Sequence, residues 1–135
     1  MLPGLPNDFG ETLNRVQQQG ILEEDLETVN IRLTNAVETA AQSGGDLGDL
    51  GFGDWSAKTK NLLALIHKQL CDKEKKCLKE DYKDILNLGL SLKGITTLSA
   101  IIAGLFPGVA ISSVLIFAAI WLLKRGLNDW CSVSD

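Results

Sequence analysis

The stretch that decides the fold is residues 94–123, which read GITTLSAIIAGLFPGVAISSVLIFAAIWLL and contain no charged side chain. A membrane-spanning helix needs about 20 apolar residues, so this run is long enough to span. As one helix it would measure about 45 Å, which exceeds a hydrocarbon core of about 30 Å. Pro107 and Gly108 lie in the middle, where proline removes a helical hydrogen bond and glycine lets the backbone reverse. The sequence therefore predicts a helix-turn-helix hairpin.

We place this hairpin at residues 84–126, with one helix in Ile85–Phe106 and the second in Pro107–Leu123. Lysines precede it, and Lys124 and Arg125 follow it, so the positive-inside rule would keep both ends of an inserted hairpin in the cytoplasm. Small residues within it would allow two helices to approach closely. These features favour a transmembrane hairpin over the alternative, which is a fully buried helix pair inside a soluble bundle. One protein can also bury such a hairpin and release it later.

Three sets of residues follow from this interpretation. Residues expected to form the membrane hairpin are Ile101, Phe106, Pro107, Gly108, Phe117 and Trp121. Residues expected to pack helix against helix are Ala100, Gly104 and Ala119. A polar line that would face the lumen of a pore, or bond between helices, comprises Ser91, Thr96, Thr97, Ser112 and Ser113.

The rest of the chain is predicted to be helical, which makes the fold class all-α, a small helical bundle with a C-terminal hydrophobic hairpin. Asn7 or Asp8 is placed to cap a short first helix that ends near Gly20. The second helix carries an apolar stripe from Leu22 to Ala40, which favours a bundle core over a coiled coil. If the stripe instead binds a protein partner, the residues that would do so are Leu22, Leu26, Val29 and Leu33.

Charge divides the chain into segments. Residues 1–54 hold ten acidic and two basic residues, and residues 55–135 hold seven acidic and eleven basic residues. We predict acidic helices and a glycine-rich linker over 1–54, a basic amphipathic segment over 55–83, and a tail over 127–135 after the hairpin. Opposite charge indicates that the two halves attract each other or meet different partners. A nucleic-acid partner is not expected, because the basic residues have no interleaved aromatic side chains.

Motifs for catalysis are missing from the sequence, so we predict no enzyme activity and no cofactor. The sole histidine, His67, lies four residues before Cys71, but the gap from Cys71 to Cys77 is wider than structural zinc sites use, so no metal is expected. Cys131 makes the cysteine count odd, which argues against a secreted disulfide framework. We expect a membrane location with the head and both hairpin ends cytoplasmic; the alternative is a soluble cytoplasmic protein.

The function that we predict from these patterns is a non-enzymatic, membrane-active protein whose hairpin contacts membrane lipid and forms homo-oligomers, as an effector or a pore- or channel-like component. The first alternative is a soluble interaction or adaptor module with the hairpin as its core. The second alternative is a passive membrane anchor whose head recruits a protein partner through the helix Leu22–Ala40.

Overall fold

The computed structural model describes residues 5–42, 54–70, 90–106 and 111–126. All regular secondary structure in these ranges is helical, which confirms the all-α prediction. There are five α-helices and one short 3₁₀ turn within them. Their bounds are α1 Phe9–Gln18, the 3₁₀ turn Ile21–Glu23, α2 Leu26–Gln42, α3 Trp55–Leu70, α4 Leu92–Leu105 and α5 Ser112–Arg125.

Side-chain caps fix where three of the helices begin. The Asp25 carboxylate accepts a 2.8 Å hydrogen bond from the Thr28 amide at the start of α2. Asp54 accepts one of 2.8 Å from the Ala57 amide at the start of α3. The Ser91 hydroxyl accepts one of 3.0 Å from the Gly94 amide at the start of α4. Each cap pairs an amide that has no partner inside its helix, so the polar residue before each apolar run sets the boundary.

The centre of the fold is α5, which packs against α1, α2 and α4, while α3 packs against α2. The side chains of α5 that are buried are Ser112, Val114, Leu115, Ile116, Ala118, Ala119, Ile120 and Leu122. A helix that is apolar on nearly all sides has to be covered on nearly all sides. The second half of the predicted hairpin is therefore the core helix around which the others are arranged.

The predicted apolar stripe of α2 lies in the chain's own core. Val29, Leu33 and Val37 are fully buried, and they belong to the same cluster of core side chains as the buried residues of α5. The 3.6-residue period of the stripe explains why one side of α2 is buried while Glu27 on the other side is exposed.

The two hairpin helices begin at Leu92 and at Ser112 and contain 14 residues each. They contact each other, and the Ser99 hydroxyl of α4 donates a hydrogen bond to the Leu115 carbonyl of α5 at 3.3 Å. Within the described ranges, no helix is both long enough and apolar enough to cross a membrane, so the transmembrane part of the fold prediction is not supported. The physical reason is length, because 14 residues extend about 21 Å.

Several predictions fall outside the described residues. These are the turn at Pro107 and Gly108, most of the glycine-rich linker, the basic segment after Leu70, and the tail over 127–135. Cys71, Cys77 and Cys131 lie outside them as well.

Candidate functional site

The outward side of α4 is the first feature that the core packing leaves open. Its buried side, which includes Ile95, Leu98 and Ile102, faces the core, and its principal packing partner among the described elements is α5. The opposite side, which we call the α4 outer face, comprises Lys93, Thr97, Ala100 and Gly104. These residues recur at spacings of four and three, so they lie on one side of the helix.

The α4 outer face is flat and carries a single charge. A methyl group built on Gly104 meets no atom within 4 Å, so nothing in the described part of the chain covers this residue. The Thr97 hydroxyl donates to the Lys93 carbonyl at 2.8 Å, and the neighbouring Thr96 hydroxyl donates to the Leu92 carbonyl at 2.8 Å. Because these hydroxyls are paired with the helix backbone, the face can leave water without losing their hydrogen bonds.

Exposed apolar side chains concentrate at the start of α4. Leu90 is 39% exposed and Leu92 is 38% exposed, next to the exposed Lys93. The third exposed large apolar side chain in the described ranges is Ile31 on α2, which is 56% exposed. Single exposed apolar residues are ordinary, but two of them beside a lysine make an amphipathic edge.

The second open feature is one side of α5. Ser113, Phe117 and Trp121 recur every four residues and are half-buried, whereas the rest of the helix between them is buried. Next to the first two lies a cleft of about 300 Å³, which α1 lines from its opposite side with Thr12, Arg15, Val16 and Gln19. The packing between α1 and α5 is therefore incomplete on this side.

One hydrogen bond joins the start of α1 to the start of α5. The Ser112 hydroxyl, which is buried, donates to the Asp8 carboxylate at 2.5 Å, and both residues line the cleft. Asp8 stands at the capping position of α1, as predicted, but its side chain makes no capping bond there. The carboxylate instead lies at the N-terminus of α5, whose own preceding residue, Ile111, has no side chain that can cap. A negative charge at a helix N-terminus is favourable.

At the other end of α5 the charged groups form a second cluster. The Arg32 guanidinium donates to both carboxylate oxygens of Glu24, the second contact at 2.7 Å, and this bidentate pair lowers the pKa of Glu24 and raises that of Arg32. Hydrogen bonds from Thr28 lower the pKa of Asp25. Lys124, at the end of α5, lowers both carboxyl pKa values further through its charge. The charge of Lys124 thus acts on the acidic turn before α2, while the ion pair of this cluster, Arg32 with Glu24, lies within the N-terminal half of the chain.

The predicted membrane residues that the structure describes are Ile101, Phe106, Phe117 and Trp121, and all four are half-buried at the edge of the core. Pro107 and Gly108 lie outside the described residues. Of these four residues, Phe117 lines the cleft beside α1.

The three predicted helix-packing residues have three different environments. Ala119 is fully buried in the core, Ala100 is half-buried, and Gly104 is exposed. Gly104 therefore makes no close contact with the described part of the chain, whereas Ala119 is packed inside the core.

The four predicted partner-binding residues lie between the core and its edge. Val29 and Leu33 are fully buried, while Leu22 and Leu26 are half-buried. The apolar stripe of α2, which the sequence indicated as a possible binding surface for a partner helix, is part of the chain's own core. A partner would have to displace core helices to reach Val29 and Leu33.

Four of the five residues of the predicted polar line make hydrogen bonds within the fold, and the fifth, Ser113, lines the cleft beside α1. Ser91 caps α4, Thr96 and Thr97 bond to the backbone of α4, and Ser112 bonds to Asp8. Two polar contacts were missed from the sequence: Asp8 with Ser112, and Ser99 with the Leu115 carbonyl. Both join residues that are far apart in the chain, and no local pattern signals them.

Groups for metal binding are not clustered in the described ranges, where no three His, Cys, Asp or Glu side chains lie close enough to hold an ion. His67 is half-buried on α3.

The chain is thus an all-α protein in which, within the described ranges, the apolar helix α5 packs against α1, α2 and α4. Comparisons with known protein families, with curated proteins and with solved structures find no match to it. Its function has to be argued from its own surfaces.

Proposed function

We propose that this protein is a non-enzymatic, membrane-active helical protein that meets lipid through α4 and assembles with other copies through the α4 outer face. The observation that carries the proposal is the position of α4. This helix packs chiefly against α5, carries Lys93 as its single charged residue, and turns a small-residue face outward.

The chemistry of α4 supports contact with lipid. Leu90 and Leu92 are exposed beside Lys93, whose long side chain can keep its ammonium group among lipid headgroups while its methylene groups lie against apolar surface. The paired hydroxyls of Thr96 and Thr97 remove the cost of taking free donors out of water. Helices of this kind lie in the membrane interface and do not need the length of a span.

The small residues of the α4 outer face support assembly. Ala100 and Gly104 are four residues apart, and this spacing lets a second helix approach the backbone closely. Open space at Gly104 means that no described part of the chain packs on this position. We therefore propose homo-oligomers in which α4 of one copy packs against α4 of another.

Flotation of the purified chain with anionic liposomes tests the lipid contact. We expect the wild type to float and Leu92→Glu to lose most of its binding, because the change puts a negative charge on the lipid-facing edge. The fold should tolerate it, since a carboxylate in the first turn of a helix is favourable. The matched control is Ile31→Glu, which charges a still more exposed apolar position on α2 and should float like the wild type. Equal loss of binding in both variants would refute the lipid contact, and so would a wild type that does not float.

The second candidate is a soluble helical interaction module, with the hairpin as its core. The observation that favours it is the burial of α5 under α1, α2 and α4. It predicts a single sharp species in gel filtration without detergent and no flotation with liposomes of any composition.

A further inference from the structure

Helix α1 has a distinctive place in the fold. Its principal contacts are with α5 and with the 3₁₀ turn that follows it, so it is attached to the core from one side. Three apolar side chains, Phe9, Leu13 and Val16, are buried in that contact. The cleft next to Phe117 leaves the same contact open to solvent along one edge. A short helix held by one neighbour opens at a lower free energy than helices that are packed on several sides.

Two features at the ends of α1 define how it is held. At its start, the Asp8 carboxylate accepts the hydrogen bond from Ser112 and so joins α1 to the N-terminus of α5. At its end, Gly20 adopts a φ of +72°, and a methyl group there would meet no atom within 4 Å. This backbone conformation suits glycine, so Gly20 marks the point at which the chain turns between α1 and the 3₁₀ turn.

We infer that α1 is a releasable cover for the N-terminal half of α5, closed by the Asp8–Ser112 hydrogen bond and hinged at Gly20. Opening the cover exposes the buried Ser112 and increases the exposure of the half-buried Ser113 and Phe117, so the uncovered side of α5 is apolar apart from two serine hydroxyls. This inference rests on the proposed function in one respect, which is that the uncovered side of α5 then meets lipid. The cover thus regulates the membrane activity of the hairpin.

The opening itself is tested without lipid, by amide hydrogen exchange of the full chain. We expect the amides of α1 to exchange faster than those of α2 and α5. Ser112→Ala removes the closing hydrogen bond and should raise exchange in α1 roughly tenfold, while exchange in α3 stays unchanged. Asp8→Asn keeps an acceptor for the Ser112 hydroxyl and should have a smaller effect.

The matched control is Asp54→Ala, which removes the cap of α3 and should raise exchange in α3 without changing α1. A common exchange rate for all helices, shifted equally by both variants, would show that α1 opens only when the whole chain unfolds, and would overturn the inference.

The regulatory part is tested by liposome flotation of the same proteins. Ser112→Ala should float more completely than the wild type, and Asp54→Ala should float like the wild type. Equal flotation of Ser112→Ala and wild type, together with faster exchange in α1, would show that the cover does not control lipid contact and would overturn that part. If no protein floats, the proposed function fails, and the exchange result still decides whether α1 opens separately.

Discussion

The substitution Gly104→Leu tests whether Gly104 packs against another copy of the chain or within its own chain. Glycine in a helix interior is about 1 kcal/mol less favourable than alanine, and leucine is close to alanine on the same scale; Gly104 is the penultimate residue of α4, so part of this difference applies to it. Because a Cβ atom at Gly104 meets nothing within 4 Å, we expect no steric cost in the isolated chain. The substitution should therefore raise the free energy of unfolding by roughly 0.5–1 kcal/mol.

Urea denaturation followed by circular dichroism measures that gain. With a slope of about 2 kcal/mol per molar urea, the midpoint should rise by about 0.3–0.5 M. At the same time the leucine side chain holds a second helix away from the α4 outer face, so chemical crosslinking on liposomes should yield fewer oligomers than with the wild type.

Gly10→Leu is the matched control for this experiment. Gly10 is also an exposed helical glycine with nothing within 4 Å of a built Cβ atom, but it lies on α1. The Gly10→Leu variant should be stabilised by a similar amount and should assemble like the wild type. The reasoning is wrong if Gly104→Leu lowers the urea midpoint, since the site would then be packed within the chain. It is also wrong if both variants assemble equally well.

Three further predictions concern the fold. Gly20→Ala should destabilise the chain by about 1 kcal/mol in the same urea assay, because alanine is strained at a φ of +72° although there is space for its methyl group. Ala119→Leu should cost about 1–3 kcal/mol by overpacking a fully buried site and should lower the yield of folded protein; an unchanged melting temperature would contradict the packing around α5. The carboxyl pKa of Glu24 is lowered by Arg32, so this pair stabilises the fold above about pH 4.5, and the contribution is lost as the pH falls through the folded-state pKa. The melting temperature should therefore fall less between pH 6 and pH 3 in Arg32→Gln than in the wild type.

The helical parts of the fold could be predicted because their signals are local. The apolar stripe of α2 repeats with the helical period, which indicates a helix with one buried side. The central position of α5 could also be predicted from the sequence, because a helix that is apolar on all sides is buried. Composition alone does not distinguish burial by protein from burial by lipid.

The parts that could not be predicted depend on how the helices are arranged in space. Ala119 and Gly104 are both small residues of the same apolar run, yet one is in the core and the other faces outward. Asp8 and Ser112 are 104 residues apart, so their contact leaves no trace in spacing or periodicity. The first hairpin helix was predicted to include Leu90 and Ser91, but Ser91 caps this helix, which begins at Leu92.

The central claim, that the chain works at a membrane, is tested most directly by fractionating cells that express it and treating the membrane pellet with alkaline carbonate. Our account predicts that the protein is recovered with the membranes. Resistance to carbonate would mean that the hairpin inserts, whereas release by carbonate would mean that α4 binds at the surface. Recovery of all the protein in the soluble fraction as one sharp species, for the wild type and for the Ser112→Ala variant alike, would contradict the account and leave the soluble interaction module in its place.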